Sequence, residues 1–108
     1  MTFDQERTLL KIGHPKHLDK LMSSEFSTVR RLIASYGTEA HRDILVMDKD
    51  PIVRSDVARY GSDKHRDALI EDLYVGVRSK VAKYGNESHR DKLIGDVSPI
   101  VREQEAKL

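Results

Sequence analysis

The chain repeats itself every 24 residues, and that period limits what it can fold into more than any other feature. Tyr36-Gly37, Tyr60-Gly61 and Tyr84-Gly85 are followed at a fixed offset by His41-Arg42-Asp43, His65-Arg66-Asp67 and His89-Arg90-Asp91. Ile12-Gly13 and His17-Leu18-Asp19 fit the same frame in degraded form. Val29, Val53, Val77 and Val101 each precede an arginine, and Ala34, Ala58, Ala82 and Ala106 align, as do Leu21, Leu45, Leu69 and Leu93. Asp48, Asp72 and Asp96 complete the frame. Residues 1–108 read as one domain of copies 2–25, 26–49, 50–73 and 74–97 with a half-copy at 98–108.

Each copy reads as two short helices. Val53, Val57 and Tyr60 recur at i, i+4 and i+7, one apolar helical stripe. Asp50-Pro51 and Ser98-Pro99 have the form of an N-cap followed by a first-turn proline. Gly37, Gly61 and Gly85 just past the stripe are expected as left-handed C-terminal residues. Thr38, Ser62 and Asn86 are N-cap types for a shorter second helix, which carries His65, Leu69 and Ile70 on its inner side. Neither helix buries its stripe alone, so the expected fold is all-α, an α-solenoid in which neighbouring copies share one core. Gln5-Glu6 stand where later copies have Val-Arg, and Glu105 stands where they have Ile33, Val57 and Val81. Both read as caps on the stack, so the chain is expected to be whole.

Only 38% of residues are apolar and 34% are charged, which suits a thin, extended fold over a deep core. No run of about 18 apolar residues exists, so no membrane span or membrane partner is expected. Met1 to Glu6 lack a signal-peptide pattern. With no cysteine, a disulfide scaffold, a thiol nucleophile and a Cys-ligated metal are excluded. A cytoplasmic protein is the simplest expectation.

The segment Asp48-Lys49-Asp50-Pro51-Ile52-Val53-Arg54, with Val57-Ala58, resembles HEAT-like repeats of the phycobilisome-lyase type. The 24-residue unit is similar to the leucine-rich repeat variant, whose iron–sulfur module this cysteine-free chain lacks. The tandem Tyr-Gly and His-Arg-Asp form also resembles short HEAT-like proteins of bacteriophages. The resemblance implies about four HEAT-like repeats plus the terminal half-repeat. By analogy it also implies a phage protein that acts in the host cytoplasm on a host protein, an anti-defence role included.

His-Arg-Asp invites comparison with a protein-kinase catalytic loop, but it occurs three times, with no Asp-Phe-Gly and no glycine-rich loop. The column His17, His41, His65 and His89 steps once per copy. Helices about 8–10 Å apart do not converge on one zinc. These histidines are expected half-buried, bonded to the adjacent turn, and no metal or cofactor is expected. Arg54, Arg78 and Arg102 lie six residues after Asp48, Asp72 and Asp96, which predicts an Asp–Arg ladder clamping the copies. Tyr36, Tyr60 and Tyr84 are expected in the core with hydroxyls at its rim, and Met22 and Met47 as gap-fillers.

Positions that break the frame carry the functional signal. Phe26 and Tyr74 stand where other copies have Asp50 and Ser98, at a turn that needs no aromatic. They read either as interface anchors or as covers over neighbouring helix ends. The first-helix segments together carry +5 and the second-helix segments −4, which predicts one basic and one acidic face. The basic face draws on Arg30, Arg31, Arg59, Arg78, Lys80 and Lys83, without interleaved aromatics for base stacking. The expected function is a non-enzymatic protein-binding module, a monomer ahead of an oligomer, with Phe26, Arg31, Tyr74, Lys80 and Lys83 as partner-binding residues. The alternative is nucleic-acid backbone binding along the basic face.

Overall fold

The structure, a computed structural model, describes residues 1–106, with side chains through residue 104. Glu105 and Ala106, which the frame assigns to a cap and to the alanine column, lie outside the described side chains. Among the described residues the fold is all-α. The helices are α1 (Phe3–Ile12), α2 (Pro15–Leu21), α3 (Ser27–Tyr36), α4 (Glu39–Leu45), α5 (Pro51–Tyr60), α6 (Asp63–Leu69), α7 (Val75–Tyr84), α8 (Glu87–Leu93) and α9 (Pro99–Ala106).

The helix starts follow local chemistry. Asp50 caps α5 by accepting the Ile52 N–H at 2.8 Å, with Pro51 in the first turn. Ser98 does the same for α9, accepting from Ile100. Each odd-numbered helix packs on the next, α1 through α9, and each seven-residue helix packs on the long helices before and after it. The body measures 44 × 21 × 19 Å with a radius of gyration of 14.7 Å. A compact chain of this size has about 13 Å, so the low apolar content goes with an elongated shape. Val29, Val53, Val77 and Val101 are fully buried between stacked helices, and Leu21, Leu45, Leu69 and Leu93 close the core from the short helices. Each such side chain contributes about 1.5–3 kcal/mol.

The His-Arg-Asp triplet is what joins one copy to the next. His41, His65 and His89 are buried outright, deeper than the half-burial expected of them. Each ring sits at the third position of its helix, and its Nδ1 accepts the N-cap backbone N–H of Thr38, Ser62 or Asn86 at 2.9, 3.0 and 3.0 Å. The ring thus serves as the glutamate of a capping box would. A donor at Nδ1 places the ring proton on Nε2. That proton goes to the aspartate of the preceding copy: Asp19 at 2.6 Å, Asp43 at 2.7 Å and Asp67 at 2.6 Å. The triplet arginines turn the other way, onto carbonyls that end the long helix, Arg42 reaching Ala34 O and Ser35 O.

The glycines before these helices are not left-handed, contrary to expectation. Gly37, Gly61 and Gly85 have φ between −76° and −79° and extended ψ. Glycine is required there by space. A Cβ on Gly61 would sit 2.6 Å from both His65 Nδ1 and Val57 O, and the other two are equally crowded. Among the described residues only Gly13 has positive φ, 72°.

The Asp–Arg pairs have a different register from the one the spacing predicts, and they lie within a copy and do not clamp one copy to the next. Arg54 binds the main-chain carbonyl of Asp48, six residues back, at 2.7 Å. Its carboxylate partner is Asp72, 18 residues ahead, held through Nε at 2.8 Å and Nη2 at 3.2 Å. Arg30–Asp48 and Arg78–Asp96 repeat this geometry. The six-residue carboxylate pairing does not form because the aspartate is already held by the arginine 18 residues before it, as Asp48 is by Arg30, while it also accepts the N–H two residues on. In the first copy the ladder changes chemistry. Glu6 and Ser24 occupy the arginine and aspartate positions, both buried, and the Ser24 hydroxyl donates to Glu6 at 2.7 Å.

Candidate interaction surface

The long helices α3, α5 and α7 end at Tyr36, Tyr60 and Tyr84, one above another at the 24-residue step. These rings are not core. Tyr36 is 81% and Tyr60 42% exposed, and Tyr84 is half-buried. The corner they were expected to fill is closed by the histidine ring packed against the following glycine, which leaves the tyrosine outside. Cations gather on the rings instead. Arg59 lies 4.8 Å from the Tyr60 centroid and 5.4 Å from that of Tyr84, with Lys83 and Lys80 at 5.3 and 6.0 Å from Tyr84. Aromatics are therefore interleaved with Arg59, Lys80 and Lys83, correcting the expectation that they are not. Arg30 and Arg78, also expected on the basic face, are instead mostly buried against Asp48 and Asp96. Neither the periodicity nor the hydrophobic stripe signals this, because a helix-ending tyrosine at i+7 looks the same whether it is covered or free.

The residues singled out by sequence fall in three places. Lys80 and Lys83 join the Tyr84 cluster. Arg31, on α3, is tied to Asp56 on α5 at 2.9 Å. Tyr74 is the N-cap of α7, about 15 Å along the helix from Tyr84. It is 54% exposed, and the Arg54 guanidinium lies 5.4 Å from its centroid. Phe26 is half-buried and meets Phe3 edge-on at 5.4 Å between centroids. Met47 is 83% exposed, so it fills no gap, whereas Met22 packs against the core as expected.

The short helices carry Asp19, Asp43 and Asp67, the carboxylates that the histidines bind. Asp43 receives Lys64 at 3.0 Å as well as His65, and the hydrogen bonds from Lys64 and then His65 hold its carboxyl below the ordinary value of 3.8. Among the described residues no three His, Asp or Glu side chains form a metal-binding group. No helix among them is long and apolar enough to cross a membrane. Comparison of the chain with protein-family models, with curated proteins and with solved structures returns no match.

Proposed function

We propose that the chain is an α-solenoid of about four HEAT-like repeats with a C-terminal half-repeat, and that it is a non-enzymatic module that binds a protein. The observation that carries this is the tyrosine–cation face. Tyr60 and Tyr84, bracketed by Arg59, Lys80 and Lys83, project from helices anchored by buried ladders. Tyrosine and arginine are the side chains that most often dominate protein interfaces, and a fixed scaffold lowers the ordering cost of binding. The positive charge suits an acidic partner surface. The resemblance to small phage proteins extends the proposal to a host protein, met in the host cytoplasm and modulated by steric cover.

The interleaving of rings and cations also favours a second reading, a single-stranded nucleic acid with its backbone along the cations and bases on the tyrosines. One experiment separates the two. Tagged wild-type protein and the double variant Tyr60→Ala/Tyr84→Ala are used for affinity capture from bacterial lysate, with and without nuclease. The first reading expects a protein retained after nuclease and lost with the variant. Recovery abolished by nuclease and falling steeply with salt supports the second. Equal capture by wild type and variant overturns both.

A further inference from the structure

The frame is broken at three leucines, Leu10 and Leu18 in the first copy and Leu32 in the second, and all three line one cavity. Leu10 stands where later copies have Ala34, Ala58 and Ala82, Leu18 where they have Arg42, Arg66 and Arg90, and Leu32 where they have Asp56 and Lys80. With Tyr36 they surround a cavity of about 540 Å3 beside α1, α2 and α3. In the second and third copies an arginine fills the equivalent corner. Arg42 reaches Ala34 O at 2.7 Å and Arg66 reaches Ala58 O at 2.8 Å. Leu18 has no donor to do so, and α1 closes differently, through left-handed Gly13, whose N–H bonds Leu9 O at 3.1 Å. The corner is left open and apolar.

Two cations share that lining, Arg7 and Lys11. They lie four residues apart on α1 and so project from the same side of it. Both are exposed, and neither is paired with a carboxylate among the described residues. Arg31, the counterpart of Arg7 in the next copy, has Asp56.

We propose that this cavity binds an amphiphilic carboxylate of the fatty-acid class. The alkyl chain lies against Leu10, Leu18 and Leu32, and the carboxylate accepts hydrogen bonds from Arg7 and Lys11. The volume falls within the range of about 300–1,000 Å3 typical of small-molecule sites, which share this pattern of apolar walls with a few polar groups. The headgroup contacts are charge-assisted, the strong kind of hydrogen bond. The inference does not rest on the protein-binding reading, whose cluster of rings and cations lies at Tyr60 and Tyr84.

The test follows the methyl NMR signals of Leu10, Leu18 and Leu32 while laurate, acetate or dodecyltrimethylammonium is added below its micelle concentration. Laurate is expected to shift the three leucines saturably, and the short carboxylate and the cationic chain to leave them in place. Arg7→Glu/Lys11→Glu should weaken laurate binding about tenfold or more, with the Leu69 and Leu93 methyls unmoved. Leu18→Arg, which restores the residue of the later copies, should abolish it. The proposal is overturned if laurate shifts nothing, if the cationic chain shifts the same methyls equally, or if the charge-reversed variant binds as tightly. Should the variants fail to fold, the three probes on wild type decide alone.

Discussion

His65 and Asp43 belong to different copies of the 24-residue unit, yet they share a 2.7 Å hydrogen bond from Nε2 to the carboxylate. The same ring accepts the Ser62 N–H at Nδ1, so one side chain both starts its own helix and ties it to the helix before. Each histidine of this kind is a joint between neighbours. Removing it should therefore act on two copies at once.

His65→Ala is predicted to lower stability by about 3 kcal/mol, since it orphans a backbone donor, unpairs a carboxylate and opens a buried site. Asp43→Asn should cost much less, because Asp43 is 46% exposed and asparagine still accepts a hydrogen bond. Urea unfolding followed by circular dichroism measures both. Equal losses would show that the bond between copies, not the cap, dominates.

Two glycines should respond in opposite directions to the same substitution. At Gly61 an added methyl meets Val57 O and the His65 ring, so Gly61→Ala should destabilise by about 1–3 kcal/mol. Gly76 lies inside α7 with nothing within 4 Å of a Cβ, and Gly76→Ala should stabilise by about 0.5–1 kcal/mol. Thermal melts of the two variants decide. A loss at Gly76 would contradict the open space assigned to it.

The arginine ladder is mostly buried, with Arg54 and Asp72 side chains 14% and 8% exposed. Cutting one partner leaves Arg54 with the Asp48 carbonyl and the Tyr74 ring but no carboxylate, so Asp72→Ala is expected to cost about 3 kcal/mol, well above the fraction of a kcal/mol of a surface pair. Denaturant titration against wild type is the check. A loss below about 1 kcal/mol would mean that solvent reaches the site.

The first copy allows a swap. Glu6→Arg alone should destabilise, because it sets a guanidinium against a serine hydroxyl where the wild type has a 2.7 Å hydrogen bond. Adding Ser24→Asp rebuilds the pair used by Arg30 and Asp48, and the double variant should recover most of the loss. A double-mutant cycle showing no coupling would refute the equivalence of the two pairs.

Burial acts to raise the Asp96 carboxyl, but the Arg78 guanidinium and the Ser98 N–H outweigh it and hold the group below 3.8. A depressed folded value means that its stabilising contribution is complete above the unfolded value and fades as pH falls through the folded one. Carbon NMR titration of Asp96 should therefore give a midpoint under 3.8, moved upward in Arg78→Gln. A wild-type midpoint at or above 3.8 would reverse the sign.

The frame of helices was legible because each copy restates the same caps and stripe, so an ambiguous Ser62 is read beside Thr38 and Asn86. Partner choice was less so. Spacing along the chain offered Asp48 as a neighbour for Arg54 and concealed Asp72, which only the stacking of α5 on α7 brings close. Tyr60 was misread because periodicity records which way a residue points, and not whether anything arrives to cover it. The cavity lining had left a mark in the sequence. Leu10, Leu18 and Leu32 all break their columns, and each looks like an ordinary core residue until they are seen to meet.

The two ladders reach across fixed offsets, 18 residues for the arginines and 22 for the histidines, within a 24-residue step. An insertion of a few residues inside a copy would put the pairs that span it out of register. A duplicated block such as 50–73 would find its bonding partners ready at both seams. Growth and shrinkage of this chain are therefore quantised: it can change length by whole copies, and lineages related to it should differ by multiples of 24 far more readily than by anything between.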